Sequence, residues 1–172
     1  KKQNLSTRPK PDTMPHSTCS GPLAVLGAGS WGTALAIQLA RNGVETLLWG
    51  RNHDIMAQIT TDRCNNKYLP DIRLPDNLQP VSDLNQAIDT ANDVLLVVPS
   101  HAFRSTLEQI APQLKPKSRV AWGTKGLEPG SHKLLHQVVQ EVLGEEHTAA
   151  IVSGPTFAKE VAKGLPTAVT VA

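Results

Sequence analysis

Six residues, Gly27-Ala28-Gly29-Ser30-Trp31-Gly32, carry the clearest chemistry in the chain. The apolar run Leu23-Ala24-Val25-Leu26 before them reads as a short buried strand. Thr33-Ala34-Leu35-Ala36-Ile37-Gln38-Leu39-Ala40 after them reads as a small-residue helix. Strand, glycine turn and helix in that order bind the pyrophosphate of a dinucleotide. Gly27 allows the tight turn, Gly29 lets the backbone approach the phosphates, and Gly32 lets the helix lie close to the strand. The helix start offers unpaired N–H groups and a partial positive charge to the anion. The competing reading, a glycine-rich turn without ligand, leaves this strand and helix context unexplained. A P-loop is excluded: Gly27 and Gly32 have its spacing, but Thr33 stands where its lysine must be.

A dinucleotide with a free ribose 2′-hydroxyl calls for Asp or Glu at the end of the second strand. That strand, Val44 to Trp49, is followed instead by Gly50-Arg51-Asn52. A guanidinium matches a 2′-phosphate in charge and in bidentate geometry. NADP(H) is therefore favoured, with NAD(H) accommodated. The alternative for Arg51 is a solvated strand-end charge, or a cation stacked on the adenine.

The rest of the chain supplies the elements that must hold these residues. After a helix from about His53 to Thr60, Asn65 to Pro80 reads as an irregular, proline-punctuated surface excursion. A short strand near Leu78 to Val81 and a helix capped by Ser82 or Asp83 come next. Asp93-Val94-Leu95-Leu96-Val97-Val98 is apolar on both faces, as in a parallel sheet. A helix from about His101 to Leu114, a strand Arg119–Trp122 and a helix over 131–143 follow, the last marked by its Leu134, Leu135, Val138, Val139 and Val142 stripe. Then come a strand at Ala149–Val152, a short helix ended by Gly164, and a final strand Thr167–Val171. The alternation predicts a doubly wound α/β domain of Rossmann type, with a mostly parallel sheet, over residues 21–172. Ligands of such a sheet lie outside the carboxyl ends of the strands. That edge gathers Gly27 to Trp31, Gly50 to Asn52, Val98-Pro99-Ser100, Gly123 to Gly126 and Ser153 to Ala158, and places Pro99 beside the cofactor.

The 172 residues suit one core with loose ends, and the 40% hydrophobic content is that of a soluble protein. A net charge of +2, with no basic run interleaved with aromatics, gives nucleic acid no foothold. No apolar run approaches membrane-spanning length, so no membrane partner is expected. Cys19 and Cys64 lie far apart without metal-like spacing, which fits a reduced, cytoplasmic setting. Lys1 to Ser20, rich in Lys, Arg, Pro, Ser and Thr, reads as a flexible tail, with Met14 as a candidate start. His132 and His136 share a helix face at metal-ligand spacing but lack a third ligand, so no metal is expected. No paired carboxylates or nucleophile elbow support glycosidase or acyl-transfer chemistry.

Several stretches together resemble one family. Gly27 to Ala34, Trp49-Gly50-Arg51, Val97 to His101, Thr124-Lys125-Gly126-Leu127 and Ser153-Gly154-Pro155-Thr156-Phe157-Ala158-Lys159-Glu160 look like the bacterial NAD(P)-dependent glycerol-3-phosphate dehydrogenases. The glycine turn is shared by many dehydrogenases, whereas the last two stretches are far more specific. The resemblance implies interconversion of dihydroxyacetone phosphate and sn-glycerol 3-phosphate by hydride transfer, feeding phospholipid synthesis. It puts Ser30, Trp31, Arg51 and Ala158 against the cofactor, Lys125 against both cofactor and substrate, and Gly154 and Thr156 against the substrate, a phosphorylated triose. The chemistry agrees: the Lys125 ammonium can polarise a carbonyl oxygen, and the Gly154–Thr156 turn offers N–H and hydroxyl groups. In that family a second, helical domain carries the proton-transferring lysine, the substrate-phosphate arginine and a route to a homodimer. That lysine is expected beyond Ala172, so these residues are expected to bind nucleotide without turnover. Two other readings share the glycine turn: a two-domain reductase of the 6-phosphogluconate or ketopantoate type, and a non-catalytic nucleotide sensor. The Ser153 to Glu160 stretch counts against the first, and a sensor needs none of Lys125, Gly154 or Thr156.

Overall fold

The structure, a computed structural model, describes residues 21–172. The tail expected over Lys1–Ser20, with Met14 and Cys19, lies outside the described residues. Strands β1 (Leu23–Leu26), β2 (Thr46–Trp49), β5 (Leu78–Val81), β6 (Asp93–Leu96), β7 (Arg119–Trp122), β8 (Ala149–Ser153) and β9 (Thr170–Val171) form one sheet in the order β5-β2-β1-β6-β7-β8-β9. All neighbours are parallel except β9, which runs antiparallel to β8. Helices α1 (Ser30–Arg41), α2 (His53–Asp62), α3 (Leu84–Thr90), α4 (Ser100–Ile110), α5 (Leu135–Leu143) and α6 (Ala158–Lys163) cover its two faces. This is the doubly wound arrangement that the alternation predicts.

Alternating side chains explain why both faces are covered. Ala24 and Leu26 of β1, with Val94 and Leu96 of β6, join Phe103, Leu107 and Ile110 of α4 and Val138 of α5 in one core. Val25 and Leu95 point the other way, toward Ala34 and Ile37 of α1 and Met56 and Ile59 of α2. Each fully buried Leu, Ile or Val contributes about 1.5–3 kcal/mol. Phe103 and Trp122 meet edge to face in the first core, with ring centroids 6.3 Å apart.

Register sets the ligand edge. Leu26 lies opposite Trp49 on one side and Leu96 on the other, and Leu96 lies opposite Trp122. The residues that follow, Gly27, Gly50, Val97 and Gly123, therefore leave the sheet in one row. Strand order reverses between β1 and β6, and the crevice that opens there is where such folds take ligands.

Four expectations need correction. Asn65 to Pro80 is not an irregular surface excursion. It contains an antiparallel hairpin of β3 (Cys64–Asn65) and β4 (Leu69–Arg73), and Asn65, Leu69, Ile72 and Leu74 are buried against the α1–α2 face. Pro70 and Pro75 hide its apolar spacing. The helix over 131–143 begins only at Leu135. Residues 127–134 instead make a turn, with Leu127 bridged to Leu134 and a left-handed His132 (φ 58°), so His132 and His136 share no helix face. The α4 helix gives way to a 3-10 turn at Ala111–Gln113, because Pro112 has no N–H to donate. The last strand is confined to Thr170–Val171.

The 127–134 turn is held by charge. Arg104 of α4 grips Glu128 with Nε and a terminal nitrogen (2.6 and 3.0 Å), and that terminal nitrogen also reaches Glu141 of α5 at 2.6 Å. Ser131 Oγ donates to Glu128, and Lys133 pairs with Glu141. The Arg104 fork, followed by Ser131, lowers the Glu128 carboxyl from 4.5 to about 2. A carboxyl lowered by folding stabilises above its unfolded value and loses that contribution as pH falls through its folded one. Thermal melts should therefore drop as pH falls from 4.5 toward 2. In Glu128→Gln that part of the drop should vanish, and raised ionic strength should shrink it in the parent chain. Identical acid profiles for parent and variant would show that the pair does not couple to folding.

Candidate functional site

The turn after β1 is built by missing side chains. Gly27 has φ +127°, and a Cβ there would lie 2.5 Å from the carbonyl oxygen of Val97, just after β6. A Cβ on Gly32 would lie 1.9 Å from the Gly27 carbonyl oxygen. These two positions press the α1 start onto β1 and β6. Gly29 is different: no heavy atom lies within 4 Å of where its Cβ would be. It is also the N-cap of α1, with extended backbone and no side-chain cap. The side-chain direction at Gly29 is thus open, leaving room beside the first turn of α1 for an anion to approach its unpaired N–H groups. The glycine cradle fits a pyrophosphate.

Behind the turn stands Asn65, wholly buried. Its Nδ2 donates to the Ala28 carbonyl at 2.9 Å and to Thr33 Oγ1 at 2.8 Å. The hydroxyl at Thr33, where a P-loop would carry lysine, is engaged here.

In front of the turn lies a cleft of about 1180 Å³. Gly27, Gly29, Ser30, Trp31 and Gly32 form its floor, and Arg51, Pro99, Lys125, Thr156 and Ala158 its walls. Gly154 is not brought to it: a Cβ there would sit 2.4 Å from the Ala168 carbonyl, so this glycine lets β8 run against the segment leading into β9. His101, second in α4, does line it.

Charge in the cleft is biased. Arg51 is exposed at the end of β2, beside Asn52, whose Oδ1 caps α2 by accepting from the Ile55 N–H at 2.9 Å. Lys125 stands on the far side. Among the described lining residues the carboxylate is Asp83, and its Oδ1 is committed to capping α3 through the Asn85 N–H at 2.9 Å. The uncapped N-termini of α1 and α4 open onto the same space, adding partial positive charge.

Lys125 is positioned by its neighbours. Its Nζ lies 5.8 Å from the centroid of the Trp31 ring. The Trp31 indole in turn fits against Gly123, where a Cβ would come within 3.1 Å of Nε1. Thr124, buried between them, donates from Oγ1 to the Val98 carbonyl at 2.8 Å and ties the Lys125 loop to the end of β6. Trp31 Nε1 and Thr156 Oγ1 are buried without a partner among the described residues, and both belong to residues lining the cleft. Buried polar atoms are normally paired. Trp122 Nε1 and His147 Nε2 are unpaired too, in residues that do not line the cleft, so the first two are set apart only by belonging to cleft-lining residues.

Sequence reasoning missed Asn65, and it placed Asn52 and Thr124 at the ligand edge without the contacts they make. Asn52 carried a usable signal, an Asn just before a helical stretch. Asn65 and Thr124 act on residues distant in the chain and carried none.

The NAD-dependent glycerol-3-phosphate dehydrogenase N-terminus family model matches residues 22–172. Glycerol-3-phosphate dehydrogenase (NAD(P)+) of Aeromonas hydrophila is 57% identical over 150 residues, 87% of this chain and 45% of that protein. The crystal structure of glycerol-3-phosphate dehydrogenase from Coxiella burnetii superimposes with a TM-score of 0.83 at 46% identity, over 88% of this chain and 46% of that one. The Saccharomyces cerevisiae glycerol-3-phosphate dehydrogenase structure gives 0.77 at 28% identity, over 88% and 47%. The chain thus spans about 45% of the length of the curated relatives it matches. With the glycine turn, strand order and ligand edge described above, these matches make the chain a member of the NAD-dependent glycerol-3-phosphate dehydrogenase N-terminal family.

Proposed function

We propose that residues 21–172 are the dinucleotide-binding domain of a cytoplasmic oxidoreductase that interconverts dihydroxyacetone phosphate and sn-glycerol 3-phosphate for glycerophospholipid synthesis. The observation that carries this reading is that the walls of the cleft bring in Lys125, set over the Trp31 ring of its floor, and Thr156, whose hydroxyl is unpartnered among the described residues. A nucleotide sensor needs the glycine turn but has no use for those groups. A homodimer, if formed, uses the half that the relatives carry beyond this domain.

A dinucleotide held there would supply or accept the hydride. The chain's own residues bind and orient. Gly27, Gly29 and Gly32 let the α1 start and Ser30 meet the pyrophosphate, with Pro99 and Ala158 flanking it. Arg51 faces a ribose 2′-phosphate, which favours NADP(H) over NAD(H). Trp31 shields the reacting end from water. From Nζ, Lys125 donates to the substrate's carbonyl oxygen and favours the negative charge that develops there on reduction. Thr156 Oγ1 holds a substrate oxygen, and Gly154 sets the turn that brings Thr156 into place. Proton transfer to the new hydroxyl is assigned to a lysine outside these residues.

Calorimetric titration of the chain with NADPH and NADH should show tighter NADPH binding. Arg51→Glu should cut that preference about tenfold or more, the scale of one charge-assisted contact reversed. An unchanged ratio would overturn the 2′-phosphate assignment. Lys125→Ala, introduced into a protein that also carries the remaining half of its relatives, should lower kcat about 10²-fold or more. Turnover equal to the parent's would sink the role given to Lys125.

A further inference from the structure

Asn65 has a chemistry that the dinucleotide reading does not use. Its side chain is wholly buried and does not line the cleft, yet each of its polar atoms is engaged. The two Nδ2 hydrogens go to the Ala28 carbonyl (2.9 Å) and Thr33 Oγ1 (2.8 Å), and Oδ1 accepts from the Tyr68 N–H at 3.3 Å. The partners fix which way round the amide sits. A carbonyl can only accept and an amide N–H can only donate, so the nitrogen must face Ala28 and the oxygen must face Tyr68.

The consequence lies one peptide bond further on. In a planar trans peptide the C=O of one residue and the N–H of the next point in opposite directions. Asn65 draws the Ala28 carbonyl back into the protein, so the Gly29 N–H is turned the opposite way, away from buried Asn65. A peptide flip at this bond would present a carbonyl oxygen to an anion instead. Glycine at position 29 puts no side chain in the way of that flip, and the glycine-rich turn alone therefore does not decide the orientation. Buried Asn65 decides it, from the hairpin that covers the back of the turn.

We propose that Asn65 is a positioning residue for the dinucleotide site: by holding the Ala28 carbonyl it keeps the Gly29 N–H, and the α1 start beyond it, aimed at the pyrophosphate. This rests on the cleft being a dinucleotide site. The variant that isolates the effect is Asn65→Asp, which has the same shape but sets a carboxylate oxygen against the Ala28 carbonyl. Asn65→Ala is the milder companion and leaves water to take the carbonyl. Val139→Ala, on the buried face of α5 and away from the turn, controls for lost stability alone.

The experiment is calorimetry of parent and variant chains with NADPH and with ADP, which carries the diphosphate without the nicotinamide, alongside thermal melts. Both Asn65 variants should bind NADPH and ADP about tenfold or more weakly, while Val139→Ala binds as the parent does at temperatures where all are folded. In the parent, the Gly29 amide proton should shift downfield when ADP is added, a readout that holds even if Asn65→Asp does not fold. Parental affinity in Asn65→Ala, or a Gly29 amide that does not respond to ADP, would overturn the proposal and leave the dinucleotide reading intact. A parent chain that takes up neither NADPH nor NADH would overturn both.

Discussion

The carbonyl oxygen of Gly27 fills the space in which a side chain at Gly32 would begin, and the Val97 carbonyl does the same for Gly27. That double contact joins three elements at once: the end of β1, the start of α1 and the end of β6. Nothing wider than hydrogen fits at either α-carbon. With it, the α1 axis is pinned across the point where strand order reverses, and the first-turn N–H groups come to the mouth of the crevice. The cores on both faces assume this placement, since Ala34 and Ile37 reach Val25 and Leu95 only from an α1 held this close.

Around that contact the molecule assembles its ligand edge from separate loops, and it ties the loops to one another rather than leaving them to the sheet. Thr124 binds the Lys125 loop to the end of β6. Gly123 receives the Trp31 indole. Arg104 clamps the 127–134 turn between α4 and α5. The α6 helix, which follows Thr156, is anchored on α1, where Gln38 donates to the Val161 carbonyl and Arg41 to that of Ala162 at 2.5 Å. Both acceptors belong to the last turn of α6, where the Ala162 carbonyl lies beyond the helix's own ladder and the Val161 carbonyl also accepts from the Gly164 N–H at 2.9 Å.

How far the sequence discloses this depends on the range of the interaction. The strand bounds Leu23–Leu26 and Arg119–Trp122 were legible because apolar runs and their flanking breakers lie within a few residues. So was the positive φ at Gly164, which ends α6. The glycine turn was legible because its demand is steric and local. The hairpin β3–β4 was hidden because its prolines read as punctuation, while Leu69, Ile72 and Leu74 bury against helices distant in the chain. The late start of α5 was hidden for a related reason. Leu134 extends the apolar stripe of Leu135 and Val138, but it caps the helix and bridges back to Leu127. Among site residues, Arg51 and Lys125 announce themselves by charge at a strand end. Asn65 and Thr124 work only through partners that the fold brings near.

The placement of the tryptophans has an optical consequence. Trp31 and Trp49 line the cleft, whereas Trp122 is 4% exposed in the core behind it. Indole emission overlaps the absorption of a reduced nicotinamide, and transfer between the two falls steeply with distance. The chain therefore carries a built-in fluorescence gauge: two emitters line the cleft and the third stands one residue from it, before Gly123, so all three indoles report on a reduced nicotinamide that fills it.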